Sequence, residues 1–339
     1  MNTPGHGPPR ACIACAGLMG RWHAASIEAA GGDVVSIVDV NPEAAASLAS
    51  RVGTSPVASA SLKEALSGGD VDVLHVCTAV NTHAEFASLA LQRGVHVIVE
   101  KPLAATAAET KALISEAGKR GLLIAPVHQY IFQRGMLEII ERLDQIGEIQ
   151  SLAFSICSAG GERTTASLDS IVDEILPHPL SVAFALGVEG VRDLAVLSAR
   201  AGEMTALWNS AGGQTVSIAV SMSGRPPHNR AILSGTRGTA HFDFFHGYSF
   251  IERGWRSRWR KAAAPFEYSS RTLFAGGTNL LVRAGRRESA YPGLRELINR
   301  FYDAVAKGGP SPISAEAVLS VAEMRDEVIQ LAAAARARR

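Results

Sequence analysis

The sequence predicts an α/β protein of two domains: a doubly wound parallel sheet, then an α/β domain with a large, open, mostly antiparallel sheet. Strand patterns alternate with helical patterns from residue 10 to about residue 125, as in parallel sheets covered by helices. After about residue 127 strand patterns follow one another without helices, which is typical of antiparallel sheets. A chain of 339 residues is long enough for two domains. We therefore predict domains at residues 1–127 and 128–339.

Each predicted strand of the first domain is apolar and ends at a glycine or a polar residue, followed by a helical pattern. The strands are predicted at residues 11–16, 34–38, 73–77, 95–99 and 122–127, and the helices at 20–30, from 42 onward, 82–92 and 104–119. In the second domain, strands are predicted at 151–157, 191–197, 203–209, 215–222, 230–234 and 238–244. Helices are predicted at 136–145, 292–307 and 315–335, and residues 255–288 read as irregular and basic.

Composition excludes several classes of protein. The chain is 47% hydrophobic and 19% charged, which argues against disorder, and its net charge of +1 gives no general attraction to nucleic acid. No apolar run is long enough to span a bilayer, and the N-terminus lacks the pattern of a signal peptide, so we expect a cytoplasmic protein. The basic segment 253–261 is interpreted as a solvated loop or a subunit contact rather than a nucleic-acid or membrane site, with a site for an anionic substrate or a carrier-tethered ligand as the alternative.

The cysteine pattern does not indicate a metal or redox centre. Cys12 and Cys15 have C-x-x-C spacing, but they lie along a strand, where this spacing points the two side chains to opposite faces. No second pair completes a zinc site. We expect small buried residues and no metal.

A degraded glycine-rich turn follows the first strand. In the dinucleotide-binding pattern G-x-G-x-x-G, Cys15, Gly17 and Gly20 occupy the three glycine positions. Asp39 ends the second strand about 20 residues further on, where an acidic residue hydrogen-bonds the ribose hydroxyls. A carboxylate there repels a 2′-phosphate, so NAD is predicted as the cofactor in preference to NADP.

The segment Glu100-Lys101-Pro102 ends another buried strand. Ligands of open α/β sheets bind just outside the carboxyl ends of the strands, so Lys101 can reach a bound substrate and exchange a proton with it. Together with the glycine turn, this lysine predicts a nicotinamide cofactor lying over Lys101.

These motifs resemble the Gfo/Idh/MocA oxidoreductases, the relatives of glucose-fructose oxidoreductase and inositol dehydrogenase. The resemblance depends on residues 17–23 (GLMGRWH), 77–85 (CTAVNTHAE), 94–102 (GVHVIVEKP) and 234–239 (SGTRGT). It implies a Rossmann domain, a second domain whose sheet packs against its copy in a homodimer or homotetramer, and a sugar or cyclic polyol substrate between the domains. It also implies that Lys101 is the catalytic acid/base, that Glu100 lies beside the nicotinamide ribose, and that the peptide before Pro102 is cis.

The resemblance extends to a histidine in the second domain, with departures. His178 matches the family's histidine, Glu174 matches the acid four residues before it, and Asp173 lies one residue out of register. Ile131 replaces the family's arginine in the segment that starts at His128, which favours a substrate less polar than a free sugar. The implied catalytic residues are Lys101, His178 and Glu174. The implied cofactor contacts are Gly17, Leu18, Met19, Gly20, Asp39, Thr78, Asn81, His83, Glu100 and Lys101. The implied substrate contacts are Lys101, His128, Gln129, Tyr130, Asp173 and His178.

The predicted function is an NAD-dependent dehydrogenase or reductase acting on a hydroxyl/carbonyl carbon of a small molecule. Two alternatives stay open. One is an enzyme that keeps NAD bound and oxidises a substrate carbon transiently during elimination or hydrolysis. The other is a non-catalytic NAD-binding sensor.

Overall fold

The computed structural model describes residues 7–158, 167–198, 200–254, 257–288 and 290–338. The chain forms two compact units, which we call unit 1 (residues up to 128, with 294–323) and unit 2 (residues 129–293, with 324 onward). The structure differs from the predicted division in one respect, because residues 294–323 pack within unit 1. A helix in that segment is strongly amphipathic, and its buried residues Leu297, Ile298 and Phe301 complete the core of unit 1.

Unit 1 contains a parallel six-stranded sheet in the order β3-β2-β1-β4-β5-β6. Its strands are β1 (Arg10–Ala14), β2 (Asp33–Val38), β3 (Val57–Ser59), β4 (Val73–Val76), β5 (His96–Val99) and β6 (Ile124–Pro126). Its helices are α1 (Leu18–Ala29), α2 (Pro42–Ala49), α3 (Leu62–Ala65), α4 (His83–Gln92), α5 (Ala107–Arg120) and α11 (Leu294–Lys307). The strand order reverses between β1 and β4, which is where open α/β sheets bind ligands.

Unit 2 contains a seven-stranded sheet in the order β13-β12-β11-β7-β10-β9-β8, antiparallel except for the pair β7 and β10. Its strands are β7 (Ile149–Cys157), β8 (Arg192–Leu197), β9 (Glu203–Asn209), β10 (Thr215–Ser221), β11 (His228–Gly235), β12 (Gly238–Asp243) and β13 (Tyr248–Arg253). Its helices are α6 (Arg134–Ile140), α7 (Leu143–Ile146), α8 (Leu168–Ile175), α9 (Pro177–Ala185) and α10 (Arg258–Gly285), and α12 (Ala315–Arg336) begins in unit 1 and ends in unit 2. Side chains along the central strands alternate between a buried and an exposed face.

The predicted fold class is confirmed in both units, but the structure predicted for one segment is wrong. Residues 255–288 were expected to be irregular, whereas residues 258–285 form the 28-residue helix α10. Pro265 and the glycines 276 and 277 obscure the helical pattern in the sequence. Side-chain bonds to unit 2 hold the helix in place, among them Arg271 Nη1 to the carbonyl of Ile251 at 3.0 Å. In the part of the chain that the structure describes, no helix is long and apolar enough to cross a bilayer.

Candidate active site

The turn after β1 forms a tight cradle at the start of α1. A Cβ on Gly20 would collide with the carbonyl oxygen of Cys15, so only glycine lets the helix approach the turn this closely. Cys15, in the first glycine position, holds a backbone φ of +90°, a region that favours glycine. Gly17 is the N-cap of α1 and supplies no side-chain cap, so the first backbone N–H groups of the helix can hold an anion. The turn therefore fits the pyrophosphate of a dinucleotide.

Asp39 is fixed beside this cradle by two backbone amides. Its Oδ2 accepts a hydrogen bond from the N–H of Ala16 at 2.8 Å, and its Oδ1 accepts one from the N–H of Asn41 at 2.9 Å. Each carboxylate oxygen keeps a further lone pair that can accept a ribose hydroxyl. The thiol of Cys15 also lies beside the cradle, with Sγ 3.4 Å from the backbone nitrogen of Gly17. The residue that replaces the glycine therefore narrows the cradle and strains its backbone.

The segment after β4 carries three of the predicted cofactor contacts. Asn81 is exposed, and Thr78 is half-buried and accepts a hydrogen bond from the hydroxyl of Thr82 at 2.7 Å. His83 is buried, with Nδ1 2.8 Å from the carbonyl oxygen of Pro102 and Nε2 2.9 Å from that of Thr78. Both ring nitrogens of His83 thus face the protein itself. The geometry favours a role for His83 in joining the β4 and β5 loops rather than in direct cofactor contact.

Glu100 and Lys101 follow directly after β5, at the strand end that the sequence predicts, and the Lys101–Pro102 peptide is cis. Glu100 is buried, and its Oε2 accepts a hydrogen bond from the N–H of Lys101 at 3.2 Å. Burial acts to raise the pKa of Glu100, but its hydrogen bond to His23 and the charges of His23 and Lys101 outweigh it, so the pKa lies below its ordinary value. The half-buried Lys101 is therefore held beside a buried carboxylate.

Glu100 ends a buried chain of polar side chains that crosses unit 1. Its Oε1 lies 3.2 Å from Nε2 of His23, Nδ1 of His23 lies 2.8 Å from Nδ1 of His75, and Nε2 of His75 lies 2.8 Å from the hydroxyl of Tyr302. Burial, and then the charge of His23, keep the pKa of His75 well below its ordinary value. No functional role was predicted for His23 or His75. Their connection to Glu100 was missed, since Tyr302 lies on α11, 227 residues after His75.

His128 lies near Lys101 and is also buried. Burial, and then the positive charge of Lys101, lower the pKa of His128 to about 3, so the ring is neutral at physiological pH. Within the described residues its Nδ1 has no hydrogen-bond partner. A buried ring nitrogen of this kind is suited to a ligand, because an unsatisfied polar atom is costly without one.

In unit 2, His178 belongs to an aromatic stack. Its ring lies 4.1 Å from that of Tyr130, centroid to centroid, and the Tyr130 ring lies 5.0 Å from that of Phe244. The Tyr130 hydroxyl accepts a hydrogen bond from Nδ2 of Asn229 at 2.8 Å, and burial raises the pKa of Tyr130. His178 stands in the first turn of α9. Stacking and helix packing together restrict the orientation of its ring.

The acids near His178 differ from each other in their surroundings. Glu174 is exposed on α8. Asp173 forms a two-pronged ion pair with Arg336 of α12, at 2.7 and 2.9 Å. Because the guanidinium engages both carboxylate oxygens, this geometry favours a structural role for Asp173 over the predicted substrate contact. Gln129 is buried in the turn before α6. Across the described ranges, no group of three or more His, Cys, Asp or Glu side chains could hold a metal ion.

Unit 1 has the architecture of a dinucleotide-binding protein, and Lys101 lies just after the end of β5. Residues 10–128 match the model of an oxidoreductase family with an NAD-binding Rossmann fold. Over this segment the resemblance to the Gfo/Idh/MocA oxidoreductases seen in the sequence is confirmed.

Known proteins with related sequences or folds include several that are named as dehydrogenases or reductases. A 4-carboxy-2-hydroxymuconate-6-semialdehyde dehydrogenase of Sphingobium sp. (strain NBRC 103272 / SYK-6) is 34% identical over 134 residues, 37% of this chain and 42% of that enzyme. The matched segment thus spans less than half of that relative. UDP-N-acetylglucosamine 3-dehydrogenase GnnA of Acidithiobacillus ferrooxidans superposes with a TM-score of 0.76 at 22% identity, over 97% of this chain and 99% of that one.

A second solved structure of the same fold contains a nicotinamide cofactor. The WlbA dehydrogenase from Bordetella pertussis, in complex with NADH and UDP-GlcNAcA, superposes with a TM-score of 0.77 at 16% identity, over 98% of this chain and 97% of that one. At these identities the structural likeness shows the fold alone.

Proposed function

We propose that this protein is an NAD-dependent oxidoreductase that moves a hydride between nicotinamide and a hydroxyl/carbonyl carbon of a small sugar-like or cyclic substrate. One observation carries the proposal. The anion cradle at Gly17, the acid Asp39 and the pair Glu100–Lys101 all lie at the carboxyl ends of strands of one parallel sheet. This arrangement matches a dinucleotide stretched along the strand ends toward a proton donor.

The proposed chemistry divides between the cofactor and two side chains. When bound, the nicotinamide supplies or accepts the hydride. Nζ of Lys101 donates or takes the proton of the reacting oxygen, and the ionised Glu100 fixes the backbone N–H of Lys101 through the 3.2 Å hydrogen bond. His128, neutral beside Lys101, can hydrogen-bond a substrate oxygen without adding a second positive charge. His128 is thus proposed as a substrate contact.

In unit 2 we propose His178 as a second polar contact for the substrate, oriented by its stack on Tyr130. Glu174 is the proposed acid that orients His178. Ile131, in place of the family's arginine, supports a substrate less polar than a free sugar. The relatives named as sugar-nucleotide dehydrogenases support a cyclic substrate class.

NAD rather than NADP is proposed from the position of Asp39. Its carboxylate is held by two backbone amides beside the cradle, so it cannot swing away from a 2′-phosphate. Like-charge repulsion in a half-buried site opposes NADP. The predicted cytoplasmic location and a homodimer or homotetramer through the sheet of unit 2 stay predictions. Leu197, Leu207 and Ile232, apolar and exposed on that sheet, support the latter.

The test separates catalysis from cofactor binding. We expect Lys101→Ala to lower kcat by roughly 10²–10⁴-fold on the substrate that gives the fastest NADH signal in a screen of cyclic alcohols and sugar nucleotides. NADH affinity, measured by calorimetry, should change only a few-fold. Lys111→Ala is the matched control, because Lys111 is exposed on α5.

Other outcomes point to the alternatives. Full turnover by Lys101→Ala would overturn the assigned role of the lysine. Cofactor that copurifies with the protein and cycles without net NADH would indicate transient oxidation. Tight NADH binding with no turnover on any substrate would indicate a sensor.

A further inference from the structure

One side of α10 is lined by large apolar side chains that are mostly exposed in the described part of the chain. Trp259, Phe266, Leu273 and Leu280 recur every seven residues and are 86, 79, 73 and 68% exposed. Phe274 and Leu281 lie beside them and are 71 and 75% exposed. A seven-residue apolar repeat is the pattern by which helices pair, and monomeric proteins rarely expose an apolar stripe of this length. We call these six residues the α10 stripe.

The α10 stripe is not what attaches the helix to its own unit. The opposite side of α10 makes those contacts: Ala264 and Asn279 are buried, and Nδ2 of Asn279 donates a hydrogen bond to the carbonyl of His246 at 2.8 Å. Arg271 bonds the carbonyl of Ile251, and Arg283 bonds that of His246. The helix therefore has one face anchored by polar bonds and another face that is apolar and uncovered.

Small residues accompany every member of the stripe. Four residues after each member of the seven-residue repeat comes a small one, namely Ala263, Ser270, Gly277 and Ala284. If a second α10 runs antiparallel with Leu273 opposite Ser270, the other repeat members also meet small residues: Trp259 meets Ala284, Phe266 meets Gly277 and Leu280 meets Ala263. Phe274 and Leu281 then face Ser269 and Ala262. One register thus places each large side chain against a small one.

We infer that α10 pairs with α10 of a second copy of this chain, antiparallel, about a twofold axis passing between Arg271 and Thr272. The stripe supplies both the protruding side chains and the gaps that receive them, which is the self-complementarity that an isologous twofold interface requires. At roughly 100 Å² for each exposed side chain, the twelve stripe residues of two copies would bury on the order of 1,200 Å², the lower bound for a stable specific interface. The inference does not depend on the proposed reaction.

Sedimentation equilibrium tests the inference on the full-length protein. The parent should contain a reversible dimer step that Leu273→Glu with Leu280→Glu weakens by at least about 100-fold, since two buried apolar contacts per copy are lost. Thr278→Glu is the matched control on an exposed position of α10 outside the stripe. Circular dichroism should show both variants folded, because stripe residues are exposed in the single chain. Leu207→Glu, on the sheet of unit 2, tests the other predicted interface separately.

Cross-linking tests the register. In the antiparallel pairing the two copies of residue 270 lie about 10 Å apart, whereas the two copies of residue 263 are offset along the axis by about 26 Å. A bismaleimide that spans about 10 Å should therefore join copies of Ser270→Cys but not copies of Ala263→Cys, with the parent as the control for its four native cysteines.

Three results would overturn the inference. They are a parent that stays monomeric at tens of micromolar, an oligomer unchanged by Leu273→Glu with Leu280→Glu, and equal cross-linking at both cysteine positions. The second result together with a Leu207→Glu monomer would assign association to the sheet alone.

Discussion

The buried chain from Tyr302 to Glu100 predicts that a single hydroxyl far from the cofactor cradle stabilises unit 1. We consider Tyr302→Phe, which removes that oxygen and keeps the ring. With His23 neutral, Tyr302 donates to His75, His75 donates to His23, and His23 donates to the carboxylate of Glu100. With His23 charged, the first two bonds run in the opposite direction. In both cases Tyr302→Phe leaves Nε2 of His75 buried without a partner.

The size of the effect follows from that orphaned ring nitrogen. Leaving one buried polar group unsatisfied costs about 1–3 kcal/mol. Phenylalanine fills the same space against Gly32, so no cavity cost is added. With a urea m-value of about 2–3 kcal/mol/M, the unfolding midpoint of unit 1 should fall by about 0.3–1.5 M.

Urea unfolding combined with hydrogen exchange of peptides from β4 and α1 measures this change in unit 1. Tyr268→Phe serves as the control, since Tyr268 is 42% exposed on α10 and its variant should stay within about 0.5 kcal/mol of the parent. Ring ¹⁵N shifts of His75 should also change in Tyr302→Phe. Equal stabilities of Tyr302→Phe and Tyr268→Phe, with unchanged His75 shifts, would show that the hydrogen bond between Tyr302 and His75 does not stabilise unit 1.

Two further predictions concern unit 1. Cys15→Gly should raise the free energy of unfolding by about 1 kcal/mol, because a φ of +90° strains any residue but glycine. The same variant should keep or improve the affinity for NAD in a binding titration. A large loss of affinity would show that the alignment of the turn is wrong. Burial holds the pKa values of His75 and His128 below the ordinary 6.5, so the unfolded chain binds more protons and stability is full above pH 6.5. Urea unfolding should therefore show that the free energy of unfolding falls by roughly 3 kcal/mol between pH 6.5 and 5. In His128→Gln the free energy of unfolding should fall less steeply with pH. A free energy of unfolding that does not change over this range would contradict neutral buried histidines.

Local sequence patterns predicted the part of the site that depends on strand ends. Apolar runs that stop at Gly17, Asp39 and Glu100 locate the carboxyl edge of a parallel sheet, because each run is one strand and its end is visible in the residues. The requirement for glycine at position 20 is likewise local, since the clash involves Cys15, five residues earlier. The Rossmann unit and most of the proposed cofactor contacts could therefore be predicted.

Long-range partners could not be predicted. The ion pair of Asp173 with Arg336 joins residues 163 apart, and it makes a structural role more natural for a residue expected to contact the substrate. The hydrogen-bond partners of His83 could not be predicted either. Its two carbonyl neighbours meet only when the loops after β4 and β5 are folded together.

The sequence by itself determined the fold class, the cofactor turn and the lysine at the strand end, since hydrophobic period and turn chemistry act over a few residues. The tertiary structure alone decided which buried groups connect to Glu100, and it alone revealed the apolar stripe of α10. Both depend on contacts between distant segments: Tyr302 reaches His75 only through the packing of α11, and the stripe is exposed only because polar bonds hold the other face of α10 to unit 2.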